Sequence, residues 1–237
     1  QARGLLGAQE PHTRVEEMAA DYFHAIRAAQ ERGPYLLGGW SMGGLIAFEM
    51  ACQLQKQGQQ VALVALFDSM TPSAAKSIRE DARAWLVASF AFQLGLTTEE
   101  LANVSEQFLS FDEEAQLQYV FEEAQGRGIL PTGFDSTQLR QLFKVYRRNN
   151  EAAQAYRPAT CPAPLVLFRA AEKVAEEPTD ATLGWSRLAE GSLEVEEVAG
   201  SHFTMLEEPH VSLLAERLRA HLARANREGE LATGRED

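Results

Sequence analysis

Only two cysteines occur in the 237 residues, and they stand 109 positions apart. That excludes a disulfide framework and a tetrahedral metal site, and it points to a reducing, cytoplasmic setting. Long apolar runs are missing as well: the longest, residues 61–67, falls far short of the roughly 18 residues of a membrane span. Positive charge is scarce. The 22 Lys and Arg against 34 Asp and Glu leave a net charge of −12, which argues against nucleic acid as a partner because phosphates would go unneutralised. Glycine and proline number 17 and 9, too few for a low-complexity or collagen-like chain. What remains is 45% hydrophobic and 24% charged, the balance of an ordinary globular protein long enough for a substantial core. An initiating methionine is also absent. The first residue is Gln1 and no signal peptide precedes the first helical pattern, so the expectation is a chain that begins in the middle of something: a larger polypeptide, a trimmed form or an incomplete gene.

Residues 1–12 carry Gly and Pro and read as loop. Thr13-Arg14-Val15-Glu16 then has the form of a capping box, in which the Thr13 hydroxyl and the Glu16 carboxylate satisfy orphan amides. Val15, Met18, Ala19, Tyr22, Phe23 and Ile26 follow on one stripe, which predicts an amphipathic helix over 14–31 stopped by Gly33-Pro34. Tyr35-Leu36-Leu37 reads as a short buried strand, and 45–57 as a helix with Gly58 at its C′ position. Residues 61–67 are continuously apolar, as in a strand covered on both faces. Strand, helix and strand in succession make a βαβ unit.

Over residues 70–159 helices replace the strand pattern, with segments predicted at 77–94, 112–125 and 136–156. Strand pattern resumes at 164–168 and 193–198, a last helix is predicted over 204–225, and a polar, disordered tail over 226–237. The predicted architecture is an α/β domain over 1–225: a mostly parallel sheet flanked by helices, with a helical insertion at 70–159.

Gly39-Trp40-Ser41-Met42-Gly43 is a G-x-S-x-G pentapeptide between a predicted strand and a predicted helix. A serine on such a turn needs small flanking residues, and it projects its hydroxyl clear of the sheet. The helix start behind it brings unpaired amides and a positive dipole end, suited to an oxyanion, with the Met42 amide as first donor. A serine hydroxyl is a weak nucleophile and needs a base, itself oriented by an acid. On sheets of this kind the chain order is Ser, acid, His. Asp68 ends the strand at 61–67, 27 positions after Ser41. Of five histidines, His12 and His24 precede Ser41, while His210 and His221 fall in the last helix. His202 alone lies in a loop after a strand, where open α/β sheets place their sites. For the acid, Glu172 and Asp180, beyond the next strand, stand as alternatives to Asp68.

The run Gly38-Gly39-Trp40-Ser41-Met42-Gly43-Gly44 resembles the thioesterase domain that ends nonribosomal peptide synthetases and polyketide synthases. The spacing from Ser41 to Asp68, Gly184-Trp185-Ser186, and Gly200-Ser201-His202-Phe203-Thr204-Met205 followed by Glu208-Pro209-His210 match the same family. The resemblance extends over about residues 1–225. It implies an α/β-hydrolase fold and a covalent acyl-enzyme on Ser41. The implied substrate is a peptidyl or acyl chain held as a thioester on the phosphopantetheine arm of an upstream carrier protein. His202 would then activate water, giving a free acid, or a nucleophile of the chain itself, giving a ring. The resemblance implies no metal or diffusible cofactor, and no membrane partner. The neighbouring possibilities are a free-standing editing thioesterase that removes misloaded acyl groups, a generic carboxylesterase or lipase, and a non-catalytic incomplete domain.

On the same resemblance the helical insertion is a lid. Its first helix carries two apolar stripes, Ile78, Ala82, Trp85, Leu86 and Val87, Phe90, Ala91, Leu94, so it buries both sides in core or turns one side to substrate. Trp85, Phe90 and, with Phe143 on the third helix, Tyr146 are the candidate substrate contacts, with packing as the alternative for each. Arg147, Arg148 and Arg157 form a basic cluster, either a solvated face or a meeting place for an acidic carrier protein. Glu194, Glu196 and Glu197 read as solvated charge, and both cysteines as small buried hydrophobes. Relative to the family pattern, about 30–50 residues ahead of Gln1 are expected to be missing, with the second oxyanion amide among them.

Overall fold

The apolar segments fold, in chain order, as α1 (Val15–Ala29), β1 (Tyr35–Trp40), α2 (Met42–Lys56), β2 (Val61–Phe67), the single turn α3 (Pro72–Ala75), α4 (Ala82–Gln93), α5 (Glu113–Gly126), α6 (Ser136–Ala155), β3 (Leu165–Ala170), β4 (Leu193–Val198) and α7 (His210–Thr233). The computed structural model describes residues 2–5, 7, 9–75, 82–96, 108, 110–172 and 180–233, without the side chains of 82–85 and 229–233. Two units emerge, one of Thr13–Ile78 with Ala152–Asp237 and one of Gln1–His12 with Arg79–Glu151.

The first unit holds a parallel four-stranded sheet in the order β1-β2-β3-β4. The inner strands β2 and β3 are nearly all apolar because both of their faces are covered. On one face α1 and α2 bury Val15, Phe23, Phe48 and Leu54 against Val64, Leu66 and Leu167. On the other, Leu214, Leu218 and Leu222 of α7 lie with Leu63, Val166, Phe168 and Val198. The register sets Trp40 beside Phe67 and Phe67 beside Phe168, so the strands run out along a common edge.

Several features of this unit depart from the local pattern. The capping box at Thr13 does not form: Arg14 is the N-cap of α1, and its guanidinium takes the Glu16 carboxylate at 3.2 Å. The last helix begins at His210, six residues later than expected. Pro209 disfavours helical backbone at the residue before it, and the Ser201 and Thr204 hydroxyls occupy each other's amides in the turn before it. That helix also runs on through Thr233 where a disordered tail was expected from Asn226. The apolar stripe ends at Ala225, but Arg, Glu, Leu and Ala sustain helix without it.

Of the three acidic residues of β4, Glu197 is exposed as expected, whereas Glu194 and Glu196 are also paired. Glu194 meets Arg224 at 2.5 Å, and Glu196 accepts from the buried His221, whose other ring nitrogen accepts from Arg224 at 2.8 Å. The two cysteines, 109 positions apart in the chain, are both buried and free and lie in the same core. Cys161 donates to Gln55 Oε1 at 3.1 Å. The neighbouring Cys161 thiol and then burial push the Cys52 thiol up. Nearby, the buried Glu49 carboxylate accepts from Tyr156 Oη at 2.6 Å, and burial, then this bond, raises the phenol.

In the helical unit Val87, Phe90, Ala91, Leu117, Val120, Leu139 and Phe143 form a core of their own. Asp112 caps α5, accepting from the Ala115 amide at 2.8 Å. Residues 1–12 group with this unit, and those described are loop, as expected. Gln141 donates to the Gly4 carbonyl at 2.6 Å and Lys144 pairs with Glu10 at 2.8 Å. The predicted insertion at 70–159 thus corresponds to a unit with narrower bounds, joined by the N-terminal segment.

Candidate active site

Parallel strands that end along one edge deliver the residues after them to the same place. Ser41 follows β1, Asp68 follows β2, and His202 lies four residues beyond β4. Ser41 holds φ 54° and ψ −123°, a conformation rare outside glycine. It is the N-cap of α2, yet its hydroxyl makes no capping bond, although serine is among the favoured caps. Backbone bonds hold the turn instead: the Ser41 amide donates to the Phe67 carbonyl at 2.9 Å, and the Gly44 amide to the Ser41 carbonyl at 3.1 Å. The hydroxyl is thereby left for chemistry. Met42 opens α2, so its amide belongs to the first turn, which has no intrahelical acceptors and carries the positive dipole end.

Two glycines make this turn sterically feasible. A Cβ on Gly39 would stand 2.1 Å from the carbonyl carbon and oxygen of Gly43, and one on Gly44 would stand 2.4 Å from Cβ and Oγ of Ser69. Gly43 would meet nothing within 4 Å, so the second steric demand falls on Gly44, just outside the pentapeptide. Gly44→Ala is expected to destabilise the protein by about 1–3 kcal/mol through overpacking against the rigid strand end. In a Ser69→Gly background most of that cost is expected to disappear, because the 2.4 Å contacts are gone and only the 3.2 Å approach to the Gly39 carbonyl oxygen opposes the helix propensity of alanine. Urea unfolding of the four proteins checks this coupling.

Asp68 is only 8% exposed and uses both carboxylate oxygens. Oδ1 accepts from the Ala170 amide at 2.9 Å, and Oδ2 lies 2.7 Å from His202 Nδ1. A carboxylate can only accept, so Nδ1 carries the proton and Nε2 keeps its lone pair. Asp180, the other candidate acid, is exposed and caps its own turn. It accepts from the Thr182 amide at 2.9 Å, the Thr182 hydroxyl at 2.8 Å and the Gly184 amide at 3.0 Å; the Thr182 amide foremost holds its carboxyl below the ordinary range. Glu172 is exposed as well, and its amide donates to the Gly200 carbonyl at 3.0 Å. The structure therefore brings Asp68, and neither alternative, to His202. Among the described residues the Ser41 hydroxyl makes no hydrogen bond to the imidazole; Trp40, the neighbour of Ser41, is in direct contact with His202.

Trp185 supports the Asp68 strand end, a role nothing in the local pattern assigns. It is fully buried against Phe48, ring centroids 4.9 Å apart, and donates from Nε1 to the Ser69 carbonyl at 2.7 Å. The signal was the Gly184-Trp185 pair itself, a large apolar ring in a loop that carries Thr182 and Ser186. The lid candidates divide differently. Phe90 lies in the core of the helical unit, 5.2 Å from Phe143 and 5.5 Å from the half-buried Tyr146, so packing is the role seen for both. Trp85 lies on α4, with its side chain outside the described residues. The basic cluster is engaged internally: Arg147 pairs with Glu113 at 2.9 Å, Arg148 with Glu151 at 2.7 Å, and Arg157 donates to the Gln154 and Tyr156 carbonyls.

Comparison with known proteins gives a consistent result. The family model described as "Thioesterase domain" matches residues 1–222. Malpibaldin synthetase of Mortierella alpina is 28% identical over 95% of this chain, which corresponds to 4% of that protein. A dimodular nonribosomal peptide synthase of Bacillus subtilis is 32% identical over 71% of this chain and 7% of its own length. The chain thus spans less than a tenth of these curated relatives. Among solved structures, holo-AB3403, a four-domain nonribosomal peptide synthetase bound to AMP and glycine, is similar with a TM-score of 0.78 and 29% identity, over 92% of this chain and 16% of that one. The NocB thioesterase domain from the nocardicin cluster shares the fold with a TM-score of 0.63 at 24% identity, over 93% of this chain and 79% of that one.

Proposed function

The chain belongs to the thioesterase-domain family, and from that premise we propose a chain-releasing serine thioesterase in which Ser41, His202 and Asp68 form the catalytic triad. The proposed substrate is a peptidyl or acyl chain carried as a thioester on the phosphopantetheine arm of a carrier protein. The observation that supports this reading most is the 2.7 Å contact between Asp68 Oδ2 and His202 Nδ1, with Oδ1 tied to β3. It orients the imidazole and places the basic lone pair on Nε2, the nitrogen that a serine nucleophile requires.

In the first half-reaction Ser41 Oγ attacks the thioester carbonyl carbon as Nε2 takes the hydroxyl proton. The carbonyl oxygen becomes an oxyanion and accepts from the Met42 amide. Collapse breaks the carbon–sulfur bond, and the imidazolium returns its proton to the departing phosphopantetheine thiol. In the second half-reaction Nε2 takes a proton from water or from a hydroxyl or amine of the bound chain. The new nucleophile displaces Ser41 Oγ, which recovers the proton, and a free acid or a ring leaves. Bonds between serine and base of this kind tighten in the complex with substrate.

Intact-protein mass spectrometry after incubation with a short acyl N-acetylcysteamine thioester tests the reading. One acyl mass, mapped by peptide digestion to Ser41, is the expected result. An adduct at another residue, or none on folded protein, overturns it. Chromatography of the released product then separates acid from ring.

A further inference from the structure

We propose that Trp40 is a positioning residue that holds the His202 imidazole where Nε2 serves Ser41. The inference rests on the assignment of His202 as the base and extends it to the residue inside the pentapeptide that has so far served only as a mark of resemblance.

His202 sits in a loop four residues past β4, where its ring has two free torsions. The bond from Nδ1 to Asp68 restrains one atom of that ring, and a ring held at one atom still pivots about the bond. Trp40 supplies two further restraints of different kinds. Its indole Nε1–H donates to the backbone carbonyl of His202 at 3.0 Å, which keeps the loop from lifting off the sheet edge. Its ring also stacks on the imidazole, with centroids 4.8 Å apart and planes 29° apart, so a pivot about the Asp68 bond drives the imidazole into the indole face. Phe203 meets the imidazole edge-on at 5.1 Å and Trp40 at 6.4 Å. One atom, one backbone oxygen and one ring face together define the ring's position and tilt.

Trp40 suits this task because it is itself anchored. It ends β1, its register partner is Phe67, and it packs on the core face that contains Val198, Met205 and Leu214. It is also joined to Ser41 by a single peptide bond. Nucleophile and base therefore take their positions from the same strand end although 161 positions separate them in the chain. Phenylalanine would keep the ring face and lose the donor; leucine would lose both while keeping apolar bulk.

The test uses the whole chain with Trp40→Phe and Trp40→Leu. Three quantities are read: kcat and KM for an acyl thioester, the rate of Ser41 labelling by a fluorophosphonate, and the downfield proton resonance of Nδ1–H in the Asp68 bond. That resonance is identified by its loss in His202→Gln. For Trp40→Leu, kcat and labelling are expected to fall about a hundredfold at unchanged KM, as for a displacement of about an ångström, and the resonance to broaden or vanish. For Trp40→Phe the fall is about fivefold, the worth of one hydrogen bond, with the resonance retained. A folded Trp40→Leu protein with a normal resonance and normal kcat overturns the proposal and reduces Trp40 to core packing. Should Trp40→Leu fail to fold, Trp40→Phe decides: an unchanged kcat overturns the proposal and a fivefold fall supports it. If Ser41 of the wild type takes no label while Trp40→Leu still abolishes the resonance, the catalytic reading falls and the positioning of His202 stands.

Discussion

Replacing Ser41 with alanine is expected to lower turnover of an acyl thioester by about 10⁶ and to leave the unfolding midpoint unchanged. The two halves of this expectation come from the same observation. The Ser41 hydroxyl makes no bond to the α2 amides, so its removal takes nothing from the helix cap. The positive φ at Ser41 is a backbone property that alanine inherits, and the amide bond to Phe67 is untouched. Activity and stability should therefore separate cleanly. Single-turnover kinetics with the acyl thioester and urea unfolding of the same preparation check both. Residual rate above that in water, carried by the Met42 amide and by binding, is expected to persist at about 10³–10⁴. A mutant that still forms an acyl adduct would remove Ser41 from the mechanism.

The Asp68→Asn protein is expected to lose about 10⁴ in turnover with its fold intact. The carboxylate accepts twice, from the Ala170 amide and from His202. An asparagine has one acceptor oxygen, and the Ala170 amide, fixed in β3, can use nothing else. The amide NH₂ then faces Nδ1 and calls for a lone pair there. The imidazole proton moves to Nε2, where a general base must have none. Asp180→Asn is the paired control. It takes the charge and one of two acceptor oxygens from a turn cap on an exposed loop and is expected to leave turnover near normal. Normal turnover in Asp68→Asn beside a dead Asp180→Asn would reverse the assignment of the acid.

Much of the sheet was legible because β2 and β3 are short, almost wholly apolar segments, and burial on both faces imposes that pattern on each of them separately. The serine turn was legible for a similar reason: Gly39 answers a clash with Gly43, four positions away. Helix ends were read less well. The start of α1 turned on which neighbour Glu16 would pair with, and the start of α7 on hydroxyls and a proline acting together. Trp185 carried a visible signal, a large ring beside a glycine, but its use as a brace under Ser69 depends on a strand 116 positions earlier.

The sequence by itself determined the chemistry on offer: a serine with small neighbours at a strand-to-helix turn, an acid at a strand end, and a histidine in a loop after the last strand. These are properties of residue type and local backbone, and they hold wherever the segments go. Only the tertiary structure decided which acid meets His202, that Trp40 grips its loop and ring, that the two cysteines share one core, and that Glu196 clasps His221. Hydrogen bonds and ring contacts act over a few ångströms of space. The register of four parallel strands is what turns large separations in sequence into such distances.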